Sequence, residues 1–71
     1  MTRIDPFEVF SEEDLRAILT AAREASGGSI GADHARRVIA WAIEREAQGV
    51  SVAAMIAALD VAGAERAGAH A

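Results

Sequence analysis

Apolar side chains recur at intervals of three and four residues in three separate stretches of the chain. This spacing places them on one face of an α-helix, because 3.6 residues make one turn. The pattern predicts helices over about 12–26, 33–48 and 52–62. Their apolar faces consist of Leu15, Ile18, Leu19 and Ala22, of Ala35, Val38, Ile39, Ala42 and Ile43, and of Val52, Met55, Ile56 and Leu59.

The first of these helices has the clearest start signal in the sequence. Ser11 is a favourable N-cap, since its hydroxyl can accept a hydrogen bond from a free backbone N–H of the first turn. Phe10 and Leu15 occupy the two positions of a hydrophobic staple. The acids at 12–14 lie at the positive end of the helix dipole, which gives most of this acidic cluster a structural explanation.

The third helix repeats this arrangement, with Ser51 as the cap and Val50 and Met55 as the staple pair. Glycine follows each predicted helix, and it readily adopts the left-handed conformation that ends many helices. The glycines at these predicted ends are Gly27, Gly28, Gly49 and Gly63.

An N-terminal arm, residues 1–10, precedes the first helix. Pro6 disfavours helical structure at the residue before it. We expect Phe7 and Phe10 to dock on the helices, because exposed phenylalanine is unfavourable in water. The arm is therefore predicted to lie across Trp41 or the first helix.

The fold predicted from these elements is all-α, a compact three-helix bundle that forms one domain over 11–63. Residues 64–71 lack large apolar side chains and are predicted to be a flexible tail. Ile30 could pair with Val50 or Val52 in a minimal two-residue β-bridge.

The composition gives no support to an enzyme. The 71 residues include no cysteine and no tyrosine, so a disulfide or a cysteine-based zinc site cannot form. Ser11 and Ser51 are assigned to caps, and the two histidines, His34 and His70, lie far apart in the sequence. We therefore predict no catalytic residue, no cofactor and no metal site.

The net charge of −4 argues against a dedicated nucleic-acid binder, which would usually be basic. Residues 1–14 carry five acids against one arginine, whereas residues 15–45 carry five arginines against three acids. No apolar run is long enough to span a membrane, and we predict a cytoplasmic protein. Because every basic residue is arginine and alanine is abundant, a high-GC bacterial or phage genome is the expected source.

Two known motifs resemble parts of the chain. The second and third helices around Gly49 could form a DNA-binding helix-turn-helix, but 52–59 carry no basic or amide side chain to reach phosphates or bases. The segment around Gly28 has the rhythm of an EF-hand, but Arg23 and Ala25 stand where calcium would need oxygen ligands. A plain helical hairpin is the preferred interpretation of the first motif, and calcium binding is not expected.

Two clusters are candidate partner-binding sites. His34, Arg37, Trp41 and Arg45 form one stripe beside the apolar face of the second helix, and tryptophan and arginine often anchor protein interfaces. Alternatively, Trp41 lies at the edge of the core and the arginines form a solvated helix face. The second cluster is acidic and consists of Glu8, Glu12 and Glu13.

The function predicted from the sequence is a small non-enzymatic protein–protein interaction module, such as a phage or bacterial regulator or inhibitor. Its partner would be a protein, with no membrane involved. Two alternatives stay open. One is a dimeric helix-turn-helix-like DNA-binding regulator, and the other is a structural or assembly subunit whose third helix packs on copies of itself.

Overall fold

A computed structural model describes the backbone of residues 5–68 and the side chains of residues 5–63. The described chain contains four helices, and the prediction of an all-α bundle is confirmed. They are α1 (Pro6–Val9), α2 (Glu12–Ala25), α3 (Ala32–Ala47) and α4 (Val52–Gly68).

The N-terminal arm contains a single helical turn, α1, that the sequence analysis did not predict. Asp5 is its N-cap, and the carboxylate Oδ1 accepts a hydrogen bond from the backbone N–H of Phe7 at 2.9 Å. Pro6 occupies the first helical position, where its fixed φ is favourable and its missing N–H costs nothing. Asp5 itself is extended, as expected for a residue before proline.

The two phenylalanines of the arm have opposite environments. Phe10 is buried, and α1 packs against both α2 and α3 as the docked arm requires. Phe7 is 68% exposed, so its predicted docking is wrong. Phe10 is the C-cap residue of α1 and has an extended backbone, so it does not continue the helical face of Phe7. Val9 and Phe10 are the residues of the arm that pack against the core.

The predicted caps are confirmed at both serines. Ser11 Oγ accepts a hydrogen bond from the N–H of Asp14 at 3.1 Å, and Ser51 Oγ accepts one from Ala54 at 3.2 Å. Helix α3 begins at Ala32, and its N-cap residue Gly31 offers no side-chain cap. The serine caps explain why α2 and α4 begin at the predicted residues, and α3 begins one residue before its predicted start.

Glycine ends α2 and α3 through the same hydrogen-bonding pattern. Gly27 and Gly49 have positive φ angles of 90° and 85°. After α3, the N–H of Val50 donates to the carbonyl of Arg45 at 3.0 Å, and the N–H of Gly49 donates to that of Glu46 at 2.9 Å. This pair of bonds is a Schellman motif, which turns the chain sharply into α4.

Helix α4 is longer than predicted and does not end at Gly63. It continues to Gly68, so residues 64–68 of the predicted tail are helical, and residues 69–71 lie outside the described part. The role of Gly63 is close packing: a Cβ atom there would lie 2.8 Å from the Cα and Cβ of Ala25. Glycine is needed where α4 passes the end of α2.

The predicted β-bridge is not formed, since residues 5–68 contain no strand or bridge. Ile30 and Val50 are half-buried and pack against the core from the α2–α3 and α3–α4 connections. Their apolar side chains are therefore used for packing without backbone pairing.

The core lies where α2 meets the other helices. Ile18 and Met55 are fully buried, and Ala22 and Ala42 let the backbones approach closely. Helix α4 makes most of its contacts with α2, and α3 also packs on α2. The buried apolar residues are Phe10, Leu15, Ile18, Ala21, Ala22, Val38, Ala42 and Met55.

Candidate partner-binding groove

An open groove of about 650 Å³ separates α3 from α4. It arises because both helices pack on α2, while α3 and α4 contact each other only sparsely. The third pairwise interface of an ordinary three-helix bundle is thus largely missing. The groove is lined by His34, Arg37, Val38, Trp41, Ala58, Leu59 and Ala62.

The wall formed by α3 contains three of the four residues in the predicted stripe. His34, Arg37 and Trp41 are spaced by three and four residues, so they follow one side of the helix over two turns. Val38 lies between them and is buried against the core. Trp41 is only half-buried, and its remaining surface faces the groove.

The wall formed by residues 52–63 of α4 is uncharged, and the sequence does not predict it as part of a site. Leu59 belongs to the predicted apolar stripe, and it is half-buried because it also borders the groove. Ala58 and Ala62 are exposed and lie one turn apart. The available signal was that alanine flanks the apolar stripe of α4, which leaves this helix without a clear polar face.

Among residues 5–63, the charged side chain of the groove lining is that of Arg37. No carboxylate of these residues lines the groove. Arg37 is exposed and forms no ion pair with any side chain of residues 5–63, whereas its neighbour Arg36 pairs with Asp33 at 3.5 Å. In a chain of net charge −4, this groove is a local exception.

Arg45, the fourth residue of the predicted stripe, lies one turn beyond Trp41 and outside the groove lining. Its guanidinium Nη2 is 3.7 Å from Glu44, and its side chain is 34% exposed. Its Nε is buried and has no hydrogen-bond acceptor among the described residues. The structure thus brings His34 and Arg37 together with Trp41, and places Arg45 at the edge of that cluster.

The acidic cluster is distributed over different surfaces. Glu12 pairs with Arg16 at 3.0 Å and lines a shallow groove beside Phe7. Glu13 lines another groove, between α2 and α4, together with Asp60. Glu8 is exposed on α1. No one groove collects the three glutamates.

Comparison of the chain with protein-family models, with curated proteins and with solved structures gives no match. Within the described residues, no three His, Cys, Asp or Glu side chains are grouped closely enough to hold a metal ion. None of the described helices is both long and apolar enough to cross a membrane. The functional argument therefore depends on the shape and chemistry of the groove.

Proposed function

We propose that this protein is a small non-enzymatic binding module that holds a helical segment of a protein partner in the α3–α4 groove. The observation that carries the proposal is the half-buried Trp41 in a groove between two helices that scarcely touch. A third helix laid in this groove would complete the missing side of the bundle. By occluding its partner, such a module would act as a regulator or inhibitor.

The nature of the groove favours a helix as its occupant. Both walls are helices whose lining residues repeat every three or four positions, and such ridges pack well against another helix. Helix-in-groove binding uses apolar anchors at this same spacing. Residues 5–68 contain no strand, so they offer no sheet edge on which an extended peptide could add a strand.

Site-specific photo-cross-linking tests this proposal. A photoreactive phenylalanine analogue is introduced at Ala58, an exposed residue of the groove wall, and the protein is irradiated in an extract of its source cells. The matched control carries the analogue at Ala40, which is exposed on α3 outside the groove lining. We expect a discrete protein adduct from position 58 and none from position 40. Equal adducts from both positions, or none, would contradict the proposal.

Competition with Trp41→Ala separates binding from folding. Excess unlabelled natural protein should suppress the adduct at position 58. The Trp41→Ala variant should need at least a tenfold higher concentration to give the same suppression. Far-ultraviolet circular dichroism and the melting temperature of the variant are measured in parallel. If Trp41→Ala unfolds the protein, Trp41 is a core residue and its role in binding is refuted.

A second candidate function, self-assembly, is favoured by the outer face of α4. Ala53, Ala54 and Ala57 are exposed there, and Val61 is 57% exposed. An apolar face of this kind could pack on a second copy, as in an assembly subunit. Sedimentation velocity over a wide concentration range tests it, with Ala57→Glu as the blocking variant. A monomer at all concentrations would contradict self-assembly.

A further inference from the structure

The chemistry of the groove also defines its partner. We infer that the partner is an amphipathic helix of another protein that carries carboxylates beside its apolar face, about one turn from the side chain that contacts Trp41. This inference rests on the proposed function and adds the charge of the occupant to it.

The charge of the groove lining lies on α3. Arg37 is four residues before Trp41, which puts it one turn away along the helix, and His34 is about one turn further. On the opposite wall, the lining residues within 52–63 are Ala58, Leu59 and Ala62, and they are uncharged. A helix whose apolar residues fill the groove would therefore place its flanking side chains near Arg37. Carboxylates at those positions would form ion pairs, while lysines would meet a like charge.

Two other grooves among residues 5–63 differ from this one in their charge. The groove between α2 and α4 is lined by Glu13, Glu24 and Asp60 against the single Arg16. The groove beside Phe7 is lined by Arg16 and Arg23 and by the acid Glu12, which pairs with Arg16. Of these three grooves, the α3–α4 groove is the one in which an arginine lines the walls without an acid among residues 5–63.

The net charge of −4 would repel an acidic partner, and this repulsion opposes the local attraction of Arg37. At physiological salt the Debye length is about 8 Å, so charges on the far side of the protein are largely screened. Arg37 lines the groove and lies within reach of a helix bound there. The local attraction therefore decides the preference, although each exposed ion pair contributes only modestly.

Synthetic peptides provide the probe. Three stapled helices of about 14 residues, roughly 21 Å long, carry the same leucines at i, i+3, i+4 and i+7. Their flanking positions hold glutamate, glutamine or lysine, and the staple is needed because free helices of this length are marginal in water. Trp41 is the only tryptophan of the chain, so its fluorescence reports occupation of the groove directly.

The glutamate peptide should bind about two- to fivefold more tightly than the glutamine peptide, and the lysine peptide should bind most weakly. Arg37→Gln should abolish this order. Arg23→Gln, an equal charge change on the exposed side of α2, should preserve it. In about 1 M salt the three affinities should converge.

Equal affinities, or a preference for lysine, would overturn the inference and leave the groove as a neutral helix-binding site. Binding by none of the peptides up to about 1 mM would count against the groove as a helix-binding site, the proposed function included. Sedimentation velocity of the protein without peptide tests whether a second copy of the chain occupies the groove. A dimer that Trp41→Ala dissociates would make a second copy the occupant and overturn the acidic partner.

Discussion

The two faces of α4 that meet the rest of the bundle differ sharply. Toward α2, Met55 is fully buried and Gly63 lies so close to Ala25 that no side chain fits between them. Toward α3, Leu59 and Trp41 are both half-exposed and border an open groove. One helix thus takes part in a closed interface on one side and in an unfinished one on the other.

We expect the closed side of α4 to contribute to stability and the open side to contribute to recognition of a partner. A closed interface contributes transfer free energy and dispersion contacts to folding. The open one leaves apolar surface in water, and surfaces of this kind often mark interaction sites. Substitutions on the two sides of α4 should therefore have unequal effects on stability, and the following three predictions test that inequality.

Met55→Ala should give the largest loss of stability, about 2–5 kcal/mol, because it leaves a cavity beside Ile18 in the closed interface. Its matched control, Leu59→Ala on the groove side, should cost no more than about 1.5 kcal/mol, since water can fill the space. Urea unfolding followed by circular dichroism measures both. Equal losses would show that the groove side is as tightly packed as the closed side.

The absolute stability of the chain makes this experiment demanding. Seventy-one residues correspond to an unfolding free energy of roughly 4–10 kcal/mol. Met55→Ala could therefore leave the protein largely unfolded in water. In that case Met55→Leu, which conserves most of the volume, should recover a folded protein and confirm that the buried contact was lost.

Gly63→Ala should destabilise the protein by about 1–3 kcal/mol, even though alanine favours helix by up to about 1 kcal/mol over glycine. The cause is overpacking, because the new Cβ would lie 2.8 Å from two atoms of Ala25. Thermal unfolding measures the loss. Ala25→Gly in the same chain removes one of the two close atoms and should restore part of the stability. A single variant as stable as the natural protein would refute the close approach.

Gly63 also shows where prediction from the sequence reached its limit. In the sequence it resembles Gly49, a glycine that follows an apolar stretch, and both were predicted to end a helix. Gly49 does so through hydrogen bonds to residues no more than five positions away. The role of Gly63 depends on Ala25, thirty-eight positions earlier, and no local pattern contains that contact.

The candidate site also has a part that follows from local sequence spacing and a part that depends on long-range packing. The stripe of His34, Arg37 and Trp41 follows from helical spacing alone, so it could be found in the sequence. Whether Trp41 was buried depended on how α4 lies relative to α3, which is set by long-range packing on α2. The single turn of α1 has local start signals in Asp5 and Pro6, so it could have been predicted. The burial of Phe10 and the exposure of Phe7 depend on the packing of α1 against α2 and α3.

The smallest loss of stability is expected at the connection between α3 and α4. Helix α4 is positioned mainly by its packing on α2, and the turn at Gly49 and the cap at Ser51 join it to α3. Ser51→Ala should cost about 1 kcal/mol, similar to Ser11→Ala, which removes the equivalent cap of α2. Urea unfolding of both variants measures the loss.

Amide hydrogen exchange measures the effect of each cap substitution at the start of its own helix. The N–H of Ala54 loses its acceptor in Ser51→Ala, and that of Asp14 loses its acceptor in Ser11→Ala, so each should exchange faster only in its own variant. Ser51→Ala should also change the emission of Trp41, since any splaying of α4 alters the groove beside it. If Ser51→Ala speeds exchange at Ala54 but leaves Trp41 emission unchanged, the connection between α3 and α4 does not determine the shape of the groove. Packing on α2 alone would then hold α4 away from α3.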